Sequence, residues 1–203
     1  MRAEKNPLTN FRHIITRIIL YFARRKFESG GINLPDDLKM VTSLLICLPP
    51  DQRELTMIKN LLPQINRTFA GAKICLLASP GSMIYNIFPR RGFHIMTPGN
   101  KELSWGGMAS KEYLRKLKEE KFEMIFDMNL ETNYFAQGIL LAFPDAVRVG
   151  PANRLERPYY NLEIKTRFLR DEKNIYKSMV ETIDRLINPE TEPEEETVDE
   201  TES

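Results

Sequence analysis

The sequence is poor in cysteine and in long apolar runs, and it has almost no net charge. Two cysteines occur in 203 residues. Cys47 and Cys75 each lie inside an apolar run and lack the spacing of metal ligands, which predicts buried thiols in a reducing compartment. The longest apolar run near the N-terminus, residues 18–23, is well below the roughly 20 residues that span a bilayer. Neither a transmembrane helix nor a signal peptide is therefore expected, and the predicted location is the cytoplasm.

The formal net charge of +1 conceals an uneven distribution. Residues 1–30 carry seven Lys or Arg and two Glu, whereas residues 189–203 carry eight acidic residues and no basic one. Because no basic stripe is interleaved with aromatic residues, nucleic-acid binding is not expected. The acidic segment has Val198 as its one apolar residue and is predicted to be disordered. The predicted organisation is a basic N-terminal helix and linker (1–40), a folded domain (41–188) and an acidic tail (189–203).

From residue 41 onward, short apolar runs alternate with longer amphipathic stretches, as in repeated βαβ units. The strands are predicted at 43–48, 73–78, 93–96, 122–128 and 146–149. The helices are predicted at 53–69, 82–88, 110–121, 132–143 and 172–187, with Pro63 kinking or dividing the first of them. The fold class is therefore α/β, a single Rossmann-like three-layer domain with a mostly parallel sheet of about five to six strands.

Several motifs occur in a recognisable order. Residues 122–127 (FEMIFD) precede a helix, which is followed by 147–151 (VRVGP) and 157–161 (RPYYN); an earlier run is 62–77 (LPQINRTFAGAKICLL). Together these resemble glycosyltransferase family 9, the ADP-heptose lipopolysaccharide heptosyltransferases, over about residues 42–187. The resemblance implies the N-terminal, acceptor-side half of a two-domain GT-B enzyme. The donor-binding domain is expected to be missing, because the acidic tail begins where that domain would follow.

The resemblance also suggests candidate catalytic residues. In the family, an Asp after a Gly in the loop that follows the first strand is the general base on the acceptor hydroxyl. Ungapped counting from Phe69 places that pair on Arg53 and Glu54, so the candidates are Glu54, or Asp51 with a shifted loop. The alternative is that both acids lie at a helix N-terminus and interact with its dipole.

A second set of residues is predicted to bind the acceptor or an anion. Strand ends and the loop after the fifth strand supply carboxylate, amide, guanidinium and phenol groups, which suit a sugar or a phosphate. The candidates are Asp127, Asn129, Arg148, Arg154, Arg157, Tyr160 and Asn161. Loop capping by Asp127 and Asn129, and packed tyrosines with solvated arginines, are the structural alternatives. The substitution Asp127→Ala is predicted to weaken ligand binding more than folding.

Residues 8–27 read as an amphipathic helix with a basic polar side. Its apolar stripe comprises Phe11, Ile14, Ile15, Ile18 and Phe22. Such a helix can lie on an anionic membrane, or it can pack this stripe onto the domain or a partner. The protein is accordingly expected in the cytoplasm or peripherally at the inner face of the cytoplasmic membrane.

Three hypotheses follow. The first is a degenerate or non-catalytic heptosyltransferase-like domain that binds or scaffolds an anionic glycolipid or sugar acceptor in cell-envelope assembly. The second is half of a split glycosyltransferase whose donor domain comes from a partner protein. The third is a membrane-surface adaptor that acts through residues 8–27. No cofactor is expected for any of them.

Overall fold

The computed structural model describes residues 7–88, 94–155 and 157–189, apart from the side chains of residues 7–10. The strands are β1 Ser43–Cys47, β2 Lys73–Leu77, β3 His94–Met96, β4 Met124–Asp127, β5 Val147–Pro151 and β6 Leu162–Ile164. The helices are α1 Pro7–Arg25, α2 Asp36–Lys39, α3 Gln52–Thr68, α4 Lys111–Glu119, α5 Tyr134–Ala142 and α6 Glu172–Ile187. Except for Pro189, the predicted acidic tail lies outside the described residues.

The six strands form one parallel sheet in the order β3-β2-β1-β4-β5-β6. This confirms the predicted Rossmann-like α/β domain, and the strand order is that of a doubly wound sheet. The strand order reverses between β1 and β4, where Cys47 lies opposite Asp127. In open sheets of this kind, ligands bind outside the carboxyl ends of the strands at this reversal.

Apolar side chains fill both faces of the sheet. Leu44 and Ile46 of β1 face the helices α2, α3 and α6, whereas Leu45 and Cys47 face α4 and α5. All four are almost fully buried. Because successive side chains of a strand point to opposite faces, a central strand covered on both sides must be apolar throughout. The apolar runs that predicted the strands therefore reflect the three-layer packing.

Two elements differ from the sequence prediction, and one of the two alternatives for the helix with Pro63 is excluded. The helix expected at 82–88 is reduced to a single 3₁₀ turn, Ile84–Asn86, and strand β6 lies just beyond a stretch that looked irregular. Pro63 does not divide α3, which continues to Thr68. Pro63 and Lys59 are both exposed, so the Lys59 carbonyl released by the proline can bond to water.

Helix α1 packs on α5 with the side opposite to its apolar stripe. Thr16 and Leu20 are buried in this contact, and Thr16 Oγ1 lies 2.9 Å from the carbonyl oxygen of Gly106. The stripe residues Phe11, Ile14, Ile18 and Phe22 remain exposed. Ile15 is half-buried, and Phe11 touches the Trp105 ring. The stripe as a whole is therefore not packed onto the described domain, and packing onto a partner stays a prediction. None of the helices described is long and apolar enough to cross a membrane.

Candidate functional site

A polar cleft lies at the carboxyl ends of β1, β4 and β5, beside the reversal of strand order. It consists of two adjoining cavities of about 480 Å³ and about 440 Å³. The first is bounded by Asp127, Asn129 and Tyr160, and the second by Asp51 and Glu54. Leu130, Glu131 and Arg154 line both cavities. The structure therefore brings six of the predicted site residues to one cleft.

Asp127 is the buried centre of the cleft floor, with 2% of its surface exposed. Its Oδ2 accepts a hydrogen bond from the Tyr160 hydroxyl at 2.7 Å, and its Oδ1 accepts from the backbone and side-chain amides of Asn129 at 3.1 and 2.6 Å. Burial raises the pKa of this carboxyl, while the hydrogen bonds from Asn129 and Tyr160 oppose that rise. These three bonds hold Asp127 within the protein, so it shapes the cleft.

A glycine allows Tyr160 to reach Asp127. Gly150 is the second-last residue of β5. A Cβ atom placed on it would lie 2.2 Å from the Tyr160 ring. No side chain can occupy that space, so the ring packs directly on the strand backbone. The same burial, together with the nearby Asp127 carboxylate, raises the pKa of the Tyr160 phenol, which therefore stays a hydrogen-bond donor at neutral pH.

The network continues from Asn129 to a second strand end. Asn133 Nδ2 donates to Asn129 Oδ1 at 2.7 Å and to Ser79 Oγ at 2.8 Å, and Ser79 Oγ donates to the Leu48 carbonyl at 2.7 Å. The Asn133 side-chain oxygen accepts from the first amides of α5, as an N-cap does. The ends of β1, β2 and β4 are thus joined by one chain of hydrogen bonds, which makes the cleft floor rigid.

The two predicted catalytic acids have different surroundings. Asp51 is the N-cap of α3, and its side chain accepts from the amides of Arg53 and Glu54. Glu54 is half-buried, and its Oε1 accepts a 2.6 Å hydrogen bond from the Tyr176 hydroxyl of α6. Burial raises the pKa of Glu54, the hydrogen bond from Tyr176 opposes this rise, and the nearby Glu172 adds to it. The Asp51 carboxylate therefore caps the helix N-terminus, whereas the Glu54 carboxylate lies at the cleft and is oriented by its hydrogen bond from Tyr176.

The cleft rim carries both arginines and acids. Asn153 adopts a left-handed φ of 60°, so the chain turns immediately after β5 and carries the exposed Arg154 into the cleft. Arg53 and Arg170 line the same side as Glu54. Such a mixture offers donors to an anionic group and acceptors to hydroxyls, which suits a polyhydroxylated or phosphorylated ligand.

Three predicted residues lie away from the cleft. Arg148 is fully buried, and its guanidinium donates to the carbonyls of Tyr159, Phe143 and Pro144 among others, and to Ser29 Oγ. Asn161 hydrogen-bonds along β5, through Arg148 N at 2.7 Å and Ala146 O at 3.1 Å. The exposed Arg157 lines neither cavity. Arg148 therefore stabilises the fold and has no donors directed at a ligand in the cleft.

Several cleft residues were not identified from the sequence. Asn133 was detectable, because an Asn immediately before an apolar helix is a typical N-cap. Tyr176 and Arg170 carried no such signal, because their approach to Glu54 depends on how α6 packs against α3.

Comparisons of the chain with protein-family models, with curated proteins and with solved structures found no significant match. The likeness to glycosyltransferase family 9 therefore rests on the local motifs alone. Function has to be argued from the cleft itself.

Proposed function

We propose that this chain is a heptosyltransferase-like binding domain that holds the sugar or phosphate part of a glycolipid or polysaccharide acceptor in its cleft. The observation that supports this most directly is the polar cleft at the reversal of strand order, where open α/β sheets bind ligands. Its floor is held by the network around Asp127, and its rim carries both arginines and acids. In this proposal the domain serves cell-envelope assembly.

The contacts of the acidic residues favour binding over catalysis. Asp51 already accepts two hydrogen bonds as the cap of α3, and Asp127 accepts three within the floor. Arg53 lines the cleft at the position that the resemblance assigns to a glycine. A long charged side chain occupies space that a glycine would leave open to the substrate. The exposed groups of the rim, above all Arg154, are the ligand-binding groups in this proposal.

A second candidate function, acceptor activation in a split glycosyltransferase, is favoured by Glu54. This carboxylate is half-buried at the cleft, is oriented by Tyr176 and has a raised pKa, which makes it a stronger proton acceptor when ionised. In this candidate the described residues supply the acceptor-side sheet, and a domain of a partner protein binds the nucleotide sugar. Glu54 would then remove the proton from the acceptor hydroxyl.

The test is isothermal titration of the full chain with ADP-sugars and with deacylated lipopolysaccharide core oligosaccharides. The expected result is binding of an oligosaccharide and no binding of the nucleotide sugars. The variant Arg154→Gln removes one charged donor and should weaken that binding by roughly tenfold. Arg157→Gln is the matched control, because Arg157 is exposed on the same loop and lies outside the cavities. Equal losses in both variants would contradict binding in the cleft.

Two further variants separate folding from function. Asp127→Ala would leave the buried Tyr160 hydroxyl without its acceptor and would remove the shorter hydrogen bond of the Asn129 side-chain amide, so the structure predicts a loss of stability as well as of binding. The conservative Glu54→Gln keeps an acceptor for Tyr176 but cannot take a proton. Transfer of a sugar in the presence of a partner protein, abolished by Glu54→Gln, would establish the enzyme and overturn the non-catalytic proposal.

A further inference from the structure

Helix α1 presents a continuous apolar surface away from the domain. Its large apolar residues Phe11, Ile14, Ile18, Ile19, Tyr21 and Phe22 are 42–57% exposed. The opposite side of the helix is attached to the domain through Thr16 and Leu20, so the exposed side cannot turn inward without breaking that contact. We call these six residues the outward face. A contiguous exposed patch of several large apolar side chains usually marks an interaction surface.

The charge of α1 indicates what this face contacts. The helix contains Arg12, Arg17, Arg24 and Arg25 and no acidic residue. Arg25 lies over the ring of Tyr21, at 4.7 Å, so a cation borders the outward face directly. The 19 residues extend over about 28 Å at 1.5 Å per residue. An apolar helical face bordered by arginines is the pattern of helices that lie flat in the headgroup region of an anionic bilayer.

The single tryptophan of the chain enlarges this surface. Trp105 is 53% exposed and packs edge-on against Phe11, with ring centroids 6.1 Å apart, while the Arg12 guanidinium lies 5.3 Å from its ring. Tryptophan prefers the membrane interface because its ring is apolar and its N–H is polar. His13 of α1 contacts Tyr134, the first residue of α5, with ring centroids 5.6 Å apart.

We propose that the outward face of α1, together with Trp105, binds the surface of an anionic phospholipid bilayer. The helix lies parallel to the membrane plane, inserts its Ile and Phe side chains between the headgroups and places its arginines among the lipid phosphates. The domain remains on the aqueous side. This proposal does not depend on the ligand of the cleft.

The first test is sedimentation of the full chain with vesicles of phosphatidylcholine alone and with vesicles that also contain phosphatidylglycerol. Binding is expected only with the anionic vesicles and should weaken as salt is raised. The double variant Ile14→Ser/Ile18→Ser should bind at least about tenfold more weakly. Replacing Arg17 and Arg25 by Gln should cost roughly fivefold for each arginine.

Matched controls lie elsewhere on the surface. Met40→Ser removes an exposed apolar side chain, and Lys59→Gln removes an exposed cation from α3. Neither should change vesicle binding. Because every substituted side chain is exposed, melting temperatures should stay close to that of the parent chain. Equal binding to neutral vesicles, or losses of the same size in the controls, would overturn the proposal.

The second test uses Trp105 as a probe, because it is the only tryptophan. Adding anionic vesicles should shift its emission to shorter wavelength, and brominated lipids should quench it. An unchanged spectrum while the chain still sediments would mean that another surface binds, which overturns the proposal. Formation of a dimer that Ile14→Ser/Ile18→Ser abolishes, without vesicle binding, would assign the face to a second copy and would also overturn it.

Discussion

Helices α1 and α3 are both amphipathic, yet they orient their apolar stripes in opposite ways. In α3, Leu55, Ile58, Leu62 and Ile65 are buried against the sheet and α6. In α1, the equivalent stripe around Ile14 and Ile18 faces outward, and a narrower side with Thr16 and Leu20 makes the tertiary contact. An amphipathic pattern thus identifies the residues that avoid water but does not identify what covers them.

The layers of the fold explain the difference. Helix α3 connects β1 to β2 and must cover the sheet, because the crossover of a βαβ unit packs on the strands that it joins. Helix α1 precedes the first strand, and α5 already covers that side of the sheet. It therefore attaches to the outside of a completed domain and leaves its apolar stripe free.

The largest expected effect tests this contrast directly. Ile58→Ala in α3 should lower the free energy of unfolding by about 2–5 kcal/mol, because Ile58 is fully buried. Ile18→Ala in α1 should change it by at most about 0.5 kcal/mol, because half of that side chain is exposed on the outward face. Urea unfolding of both variants measures the two values. A similar cost for both would place the α1 stripe in the core.

The contact that attaches α1 can be broken from the domain side. A Cβ at Gly106 would lie 2.6 Å from Thr16 Oγ1, so Gly106→Ala should displace α1 and lower the free energy of unfolding by about 1–3 kcal/mol. Gly31→Ala is the control, since nothing lies within 4 Å of a Cβ placed there. Proteolysis between α1 and β1 should accelerate in Gly106→Ala alone. Unaltered stability and proteolysis would show that α1 is not held by this contact.

The start of α3 depends on its cap. Asp51→Ala removes the acceptor for the amides of Arg53 and Glu54 and should cost about 1 kcal/mol of unfolding free energy. Asp51→Asn keeps a side-chain oxygen and should retain most of the stability. Thermal unfolding followed by circular dichroism compares the two. If Asp51→Asn were as damaging as Asp51→Ala, the charge rather than the cap would be the stabilising feature.

The smallest effect concerns the pH dependence at Glu54. Its pKa is raised in the folded protein, so the folded state holds this proton more tightly than the unfolded chain. Stability therefore falls as pH rises from the ordinary glutamate pKa, about 4.3, through the raised value. Glu54→Gln should flatten this fall while keeping an acceptor for Tyr176. Glu119→Gln, at an exposed position of α4, is the control. Unfolding measured across this pH range should show that the fall in stability persists in this variant.

Much of the fold was predictable from local pattern. The buried strands β1, β2 and β4 appeared as apolar runs because both faces of a central parallel strand are covered. The cleft position followed as well, because carboxyl ends of parallel strands meet at one edge. Strand β6 was missed because it has only three residues, of which Glu163 is exposed. Its pairing with β5 compensates for its weak local signal.

The sequence by itself determined the α/β class, the placement of Asp127 and Glu54 at strand and helix ends, and the amphipathic character of residues 8–27. These features depend on periodicity and on neighbours along the chain. Only the tertiary structure decided that Tyr160 meets Asp127, that Tyr176 meets Glu54, and that Arg148 is enclosed by backbone carbonyls. Those contacts join residues that are distant in sequence, and the layers that pack against one another determine which partner each side chain finds.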